Sequence, residues 1–203
     1  MTNNLRLVDA DPVELRVLGC LIEKQRTTPD QYPLSLNSLR LACNQSTSRD
    51  PVLSLEEPEI RVALERLSRR GWVRLASGPG SRAAKYRHLV DDALSLDDAE
   101  ISALAVLMLR GPQTAAEIRQ RSERLHVFEA GEIEEVLERL GDRELVQRAD
   151  RRPGEKGERY RHLLGDPDQP EAEPAPRFAS DSLEERVARL EEEVARLRVL
   201  VDG

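Results

Sequence analysis

The first ninety residues contain three stretches in which apolar side chains recur at helical spacing. Asp11 supplies a capping carboxylate and Pro12 a first-turn proline, so a first helix is predicted from this pair to about Lys24. A second helix is predicted to begin near Ser35, whose hydroxyl can cap it, and a third to run from about residue 58 to 70. The predicted buried positions are Leu15, Leu18, Leu21 and Ile22, then Leu36, Leu39 and Ala42, then Ile60, Ala63, Leu64 and Leu67. Each stretch therefore predicts an amphipathic helix.

A short β-hairpin is predicted after the third helix. Gly71 is placed to end that helix in the left-handed conformation that glycine favours. Two strand-like runs follow, Trp72–Ala76 and Lys85–Val90, and the turn Gly78-Pro79-Gly80-Ser81 joins them. Three helices followed by a two-stranded hairpin are typical of a winged helix, which belongs to the helix-turn-helix group.

The same pattern occurs a second time. Residues 60–73 align with residues 133–146, and the run Lys85–Val90 aligns with Arg159–Leu164. The elements predicted in the second copy are a helix over Asp97–Arg110, a capping box at Thr114–Glu117, a helix over Ile133–Leu140 and strands flanking Asp150–Glu158. The first copy is longer in the loop around residues 45–55. The sequence therefore predicts a mainly α-helical fold with small β-hairpins, arranged as tandem winged-helix domains at residues 1–90 and 91–165.

The composition changes after Gly165. Residues 166–182 contain four prolines and five acidic residues, which predicts an extended linker. Over residues 183–203 the apolar spacing alternates between four and three, which predicts a coiled-coil helix and a parallel homodimer. The seam residues are Leu183, Val187, Leu190, Val194, Leu197 and Val201. The flanking charges suit a parallel pair, Arg186 facing Glu191 and Glu193 facing Arg198 across the seam. The alternative is a single amphipathic helix that folds back on its own domain.

The composition also argues against several classes of protein. The chain has no long uncharged apolar run, and Met1–Asp11 lacks a basic segment followed by an apolar core. We therefore expect neither a membrane span nor a secretory signal. Cys20 and Cys43 are too few for a disulfide framework, and no cysteine pair has zinc-binding spacing. We expect a cytoplasmic protein with no metal and no other cofactor. Cys43 and His88 lack a third partner at a recognisable spacing, so no catalytic residue is predicted and an enzyme is not expected.

The net charge of −7 is unevenly distributed along the chain. Residues 1–90 carry +4, residues 91–165 carry −5 and residues 166–203 carry −6. An acidic protein is a poor general binder of polyanions, but one basic face remains compatible with this balance. If the chain binds nucleic acid, the first ninety residues are the better candidate.

Several motifs resemble those of one known family. They are Thr28-Pro29-Asp30-Gln31-Tyr32-Pro33-Leu34-Ser35-Leu36-Asn37, Ala42-Cys43-Asn44-Gln45, Ser48-Arg49-Asp50-Pro51 and Leu109-Arg110-Gly111-Pro112-Gln113-Thr114. Together with the C-terminal heptads they resemble the YceH family of uncharacterised bacterial proteins, from about Leu5 onward. The resemblance implies two tandem winged-helix domains and a C-terminal coiled coil in a cytoplasmic protein. It implies no established activity and no catalytic residues.

The polar segment between Thr27 and Pro51 is the first candidate site. It holds Asn37, Asn44, Gln45, Arg49 and Asp50 in and around the second predicted helix. These residue types bond nearby backbone in caps and turns. Asn and Gln also read adenine edges, and Arg reads guanine. The structural interpretation is favoured, and the length of this loop in the first copy keeps the functional one open.

The basic hairpin is the second candidate site. Its cationic residues are Arg69, Arg70, Arg74, Arg82, Lys85, Arg87 and His88. Such a hairpin suits phosphate contacts, although alternating Arg on a strand is also ordinary solvation. The acids Glu56, Glu57 and Glu59 stand at the start of the third helix and oppose DNA binding. The second copy is more acidic there, with Glu132, Glu134, Glu135 and Glu138, so we expect no DNA contact from it.

The apolar run Ala103–Leu109 has buried character on nearly all sides of a helix. We interpret it as packing between the two copies, with a ligand pocket as the alternative. The leading functional hypothesis is a dimeric regulator that binds duplex DNA through the first copy. The alternative is a protein-interaction scaffold that uses the winged helices as docking surfaces. The fold alone does not choose between them.

Overall fold

The computed structural model describes residues 10–76, 83–149 and 157–165. All of them lie in one compact unit, Met1–Glu173. The helices are α1 Pro12–Thr27, α2 Leu36–Cys43, α3 Glu57–Arg69, α4 Val90–Leu94, α5 Asp98–Arg110, α6 Ala115–Arg121 and α7 Glu132–Asp142. The strands are β1 Leu34–Ser35, β2 Val73–Leu75, β3 Lys85–His88, β4 Gln113–Thr114, β5 Val146–Ala149 and β6 Arg159–His162, and a 3-10 turn covers Pro29–Gln31. In these ranges, no helix has both the length and the apolar character that crossing a membrane requires.

Two modules repeat one arrangement of elements. The first module runs from α1 to β3 and the second from α5 to β6. Each has an antiparallel three-stranded sheet, in the order β1-β3-β2 or β4-β6-β5. The register repeats as well, because Val73 pairs with His88 as Val146 pairs with His162. The prediction of a mainly helical fold with small antiparallel β-structure is confirmed.

Some predicted boundaries were wrong. The first helix continues past Lys24 to Thr27, and the strand predicted over Lys85–Val90 ends at His88. Val90 instead begins α4, where the backbone amide of Ala93 bonds the carbonyl of Leu89 at 2.8 Å. The sequence analysis also missed β1 and β4. Each strand has only two residues, so no alternation of apolar and polar positions exists to indicate it.

The N-terminus of the first helix is tied to the third helix in the same way in both modules. Asp11 and Glu14 form a capping box on α1, as Asp97 and Glu100 do on α5. Arg66 then contacts Asp11 at 2.6 Å, and Arg70 contacts Glu14 at 3.5 Å. The matching distances in the second module are 3.0 Å for Arg139–Asp97 and 3.3 Å for Arg143–Glu100. The aligned segments therefore share ion pairs as well as apolar positions.

Helices α1 and α5 join the two modules. The residues from Ala99 to Leu109 are buried throughout, which confirms that the apolar run packs against protein on several sides. Gly19 allows the close approach, since a β-carbon there would lie 3.0 Å from the Leu109 side chain. The backbone amide of Asp50 donates to the carbonyl of Leu109 at 2.9 Å, and Arg26 bonds Asp98 at 2.5 Å.

Several predicted features lie outside the described residues. They are the linker at 166–182, the coiled-coil seam from Leu183 to Val201, the hairpin tip at 78–81 and Arg82. The coiled coil and the domain boundaries therefore stay predictions.

Candidate nucleic-acid interface

The outer face of α3 is the first part of the candidate interface. This helix buries Ile60, Ala63, Leu64 and Leu67 and leaves its opposite face in solvent. The acids Glu56, Glu57 and Glu59, which oppose DNA binding, lie at the start of this helix. The backbone amide of Glu56 donates to the carboxylate of Glu59 at 2.8 Å. Glu59 therefore serves as part of the helix cap.

A groove lies between α3 and the sheet of the first module. We call it the α3 groove; its volume is about 340 Å³ and it is lined by Arg61, Leu64, Glu65, Ser68, Arg69 and Tyr86. Arg61, Glu65 and Arg69 are four residues apart, so they form one stripe along the helix. Arg69 and Glu65 are 4.0 Å apart and both are largely exposed, which makes their ion pair weak. Both arginines of the stripe are therefore available to an anionic partner.

The second module has a groove in the same place with the opposite charge. This α7 groove is lined by Glu134, Glu135, Leu137, Glu138, Gly141, Asp142, Val146, Gln147, Arg148 and Tyr160. In the repeat, Glu134 corresponds to Arg61 and Asp142 to Arg69. The stripe on α7 is Glu134, Glu138 and Asp142, so all three positions are acidic. The two grooves lie at corresponding places in the repeat but favour ligands of opposite charge.

The hairpin cations form a separate patch. Arg74 and Arg87 are direct partners across β2 and β3, while Tyr86 lies between Lys85 and Arg87 in the strand. Successive side chains of a strand point to opposite faces, so these cations lie on the face away from the α3 groove. Arg74 and Lys85 are exposed, and Arg87 is half-buried. The sheet therefore presents a basic face of its own.

Two of the predicted DNA contacts have structural roles instead. The side chain of Asn44 makes two hydrogen bonds to the backbone of Leu55, both of 2.8 Å. Its Nδ2 donates to the Leu55 carbonyl, and its Oδ1 accepts from the Leu55 N–H. The Arg49 side chain is fully buried, and its guanidinium holds the carboxylate of Glu23 at 2.6 Å and the carbonyl of Ala42 at 3.1 Å. All five N–H groups of Arg49 are used within the protein, so we remove Arg49 from the candidate interface. The half-buried Asn44 amide has one further N–H beyond its bond to Leu55.

Gln45 and Arg70 are also engaged within the protein. Gln45 accepts a hydrogen bond from Arg49 at 3.1 Å. Arg70 contacts Glu14 and lies over the ring of Trp72, with 5.7 Å from its guanidinium carbon to the ring centroid. Among the predicted contacts that the structure describes, Asn37, Arg69 and Lys85 are exposed. Those that are half-buried are Asn44, Gln45, Arg70 and Arg87.

The chain is similar to known proteins over most of its length. Residues 10–155 match the model of a family described as a protein of unknown function, DUF480. The chain belongs to this family. It is 49% identical over 199 residues to a UPF0502 protein of Pseudomonas savastanoi pv. phaseolicola, covering 91% of this chain and 90% of that protein. It is 45% identical over 200 residues to the UPF0502 protein YceH of Salmonella typhimurium, covering 94% and 93%. The resemblance to the YceH family is thereby confirmed.

In this DUF480 member, sequence analysis missed Arg61. It lies on the exposed side of α3 and lines the α3 groove. The repeat does indicate this position, because the residue that corresponds to Arg61 in the second copy is the oppositely charged Glu134. A charge that reverses between two otherwise matched helices marks a position at which the copies present different surfaces.

Cys43 and His88 both belong to the core. The hydrogen bond with Cys20, together with burial, raises the pKa of the Cys43 thiol well above its ordinary value. His88 is 1% exposed, its Nε2 faces the side-chain oxygen of Gln25, and its Nδ1 lies 3.5 Å from the Asp91 carboxylate. Burial outweighs that carboxylate and lowers the pKa of His88 to about 4. At neutral pH the family member therefore keeps both groups uncharged.

Proposed function

We propose that each module is a winged helix and that the chain is a dimeric DNA-binding regulator acting through its first module. The order helix, strand, helix, helix, strand, strand in each module supports the winged-helix assignment, and so does the β1-β3-β2 sheet. In that fold the third helix commonly enters the major groove and the hairpin contacts the DNA backbone. Here α3 takes the first role, and β2 with β3 takes the second.

The observation that carries the proposal is the charge reversal between the α3 and α7 grooves. Phosphate contacts supply most of the affinity of a protein for DNA, and they need cations on the approaching surface. Arg61 and Arg69 provide these on α3, while Glu134 and Asp142 repel phosphate on α7. One module is thus suited to a polyanion and its repeat is not.

The test is a salt titration of DNA binding by the full chain. Fluorescence anisotropy of a labelled duplex is measured for the wild type and for the combined variant Arg61→Ala, Arg69→Ala and Lys85→Ala. We expect weaker binding and a salt slope that is shallower by about one for each lost phosphate contact. Arg148→Ala removes an exposed arginine from the second module and should leave both values unchanged. Absence of binding by the wild type at low salt contradicts the proposal.

A scaffold function is the second candidate, and exposed apolar side chains on the first module favour it. Leu41, Val62 and Leu75 are each about half exposed, and such residues often anchor protein partners. Covalent cross-linking in cells, followed by recovery of both DNA and protein, separates the two functions. If Leu41→Ser and Val62→Ser remove a specific protein partner and no DNA is recovered, the scaffold function replaces the DNA-binding one.

A further inference from the structure

A polar cleft opens where three helices of the two modules end. Helix α1 ends at Thr27, α5 at Arg110 and α6 at Arg121, and each of these residues lines the cleft. Its volume is about 410 Å³. Both modules therefore contribute to one cavity.

The cleft has a marked excess of positive charge. Its cations are Lys24, Arg110, Arg121 and Arg124, and its one carboxylate is Glu23. That carboxylate is already bound by the buried Arg49 at 2.6 Å and by Lys24 at 3.4 Å. Arg121 in turn contacts Glu117 at 3.5 Å, so two of the four cations already have a carboxylate partner.

Arg110 and Arg124 have no internal partner among the described residues: neither guanidinium has a hydrogen bond or ion pair there. Arg110 is also half-buried. Burial, followed by the charges of Arg121 and Arg49, lowers the pKa of Arg110 below its ordinary value, and it outweighs the opposite effect of the Glu23 and Asp50 carboxylates. A half-buried arginine beside other cations is unfavourable unless an anion joins it.

Helix dipoles explain only part of this arrangement. The C-terminal end of a helix favours a cation, so Lys24, Arg110 and Arg121 each suit the last turn of their own helix. The dipoles do not account for Arg124, which follows α6, or for the convergence of all four cations on one cavity. Lys24 and Arg121 have carboxylate partners, so an anion in the cleft would balance the charges of Arg110 and Arg124.

We propose that this cleft binds a small phosphate-bearing molecule with at least two negative charges. The planar guanidinium fork of arginine matches phosphate oxygens in pairs, and Arg110 and Arg124 are free to use it. Ser46, Thr47 and Ser48 provide hydroxyl donors in the wall of the cleft. Val106, Leu109 and Leu125 form an apolar wall for the rest of the ligand.

The proposal also gives a function to the loop that distinguishes the first module. Residues 45–48 line the cleft, and the same loop is fastened to α5 by the bond from Asp50 to Leu109. A bound phosphate would contact this loop on one side and α5 and α6 on the other. Binding here is independent of DNA binding by α3.

The test is calorimetric titration of the full chain with inorganic pyrophosphate, in the absence of DNA and at constant ionic strength set with chloride. We expect saturable binding and a Tm that rises with pyrophosphate. Arg110→Gln and Arg124→Gln should each weaken binding about tenfold or more. The control Arg119→Gln changes an exposed arginine on α6 that does not line the cleft, and it should bind like the wild type.

A second readout separates ligand binding from a purely structural role. Without ligand, Arg110→Gln should have a Tm equal to or above that of the wild type, because relief of burial and of the repulsion by Arg121 and Arg49 outweighs the lost interaction with the end of α5. A lower Tm with an unchanged pyrophosphate response overturns the proposal. So does the absence of binding beyond the chloride control, or an equal loss in Arg119→Gln. If pyrophosphate does not bind but Arg110→Gln weakens duplex DNA binding, the cleft holds DNA phosphate and the small-ligand proposal is wrong.

Discussion

The guanidinium of Arg49 holds the carboxylate of Glu23 through two hydrogen bonds, of 2.6 Å and 3.1 Å. The bonds fasten the long loop of the first module to α1. A second buried arginine, Arg16, fastens the same loop by donating to the carbonyls of Cys43 at 3.1 Å and Pro51 at 2.7 Å. Two buried arginines therefore donate hydrogen bonds to backbone carbonyl groups in and beside this loop.

Loss of the Arg49 guanidinium should destabilise the protein. Burial alone would raise the pKa of Glu23, but the hydrogen bonds and charge of Arg49 lower it below its ordinary value. We expect Arg49→Ala to reduce the free energy of unfolding by about 3 kcal/mol, since removing one partner of a buried pair leaves the other uncompensated. Urea denaturation measures this, with Arg119→Ala as the exposed control. A loss below about 1 kcal/mol would show that the pair is not needed.

One substitution should have opposite effects at two helical glycines. At Gly19 a new β-carbon would lie 3.0 Å from Leu109 and 3.3 Å from the β-carbon of Met108, so Gly19→Ala should cost about 1 kcal/mol. At Gly141 the nearest atom is 3.8 Å away, so Gly141→Ala should gain about 0.5–1 kcal/mol from helix propensity. Thermal unfolding of both variants measures the difference. A stabilised Gly19→Ala would mean that α1 and α5 are packed less closely than described.

Stability should fall as the pH drops below about 6.5. The pKa of His88 is lowered to about 4 in the folded protein, whereas an unfolded histidine titrates near 6.5. The unfolded state therefore binds a proton first, and the contribution of neutral His88 is present above pH 6.5 and lost toward pH 4. Between about pH 7.5 and pH 5 this loss is about 2 kcal/mol.

The variant His88→Gln isolates that contribution. Whatever its absolute stability, its free energy of unfolding should change less between the two pH values than that of the wild type. His162, whose pKa burial also lowers to about 4, remains in the variant and retains part of the pH dependence. Identical pH dependence in variant and wild type would contradict the burial of a neutral His88.

Charge reversal tests the predicted coiled coil. Arg186→Glu should weaken the dimer by placing like charges across the seam, and adding Glu191→Arg should restore it. Sedimentation equilibrium of the full chain at tens of micromolar measures both. A monomeric wild type, or a double variant that is no better than the single one, would favour a helix folded back on its own domain.

The repeat and the helix caps could be predicted from the sequence because they depend on local chemistry. Asp11 and Thr114 cap helices as their neighbours Glu14 and Glu117 indicate. The roles of Asn44 and Arg49 could not be predicted, since the same residue types suit either a loop or a base edge. The cationic cleft was missed for another reason. Its walls come from distant parts of the chain, and only the packing of α1 against α5 brings Lys24 and Arg110 together.

The most direct test of DNA binding by the first module exchanges charges between the two grooves. In the full chain, Arg61→Glu with Arg69→Asp gives the α3 groove the residues that the α7 groove has at the same positions. Binding of a labelled duplex at low salt is compared with that of the wild type and of the reciprocal variant, Glu134→Arg with Asp142→Arg. We predict that the first variant loses DNA binding by about tenfold or more, while the reciprocal variant binds at least as tightly as the wild type. Undiminished binding by Arg61→Glu with Arg69→Asp would contradict an interface on α3.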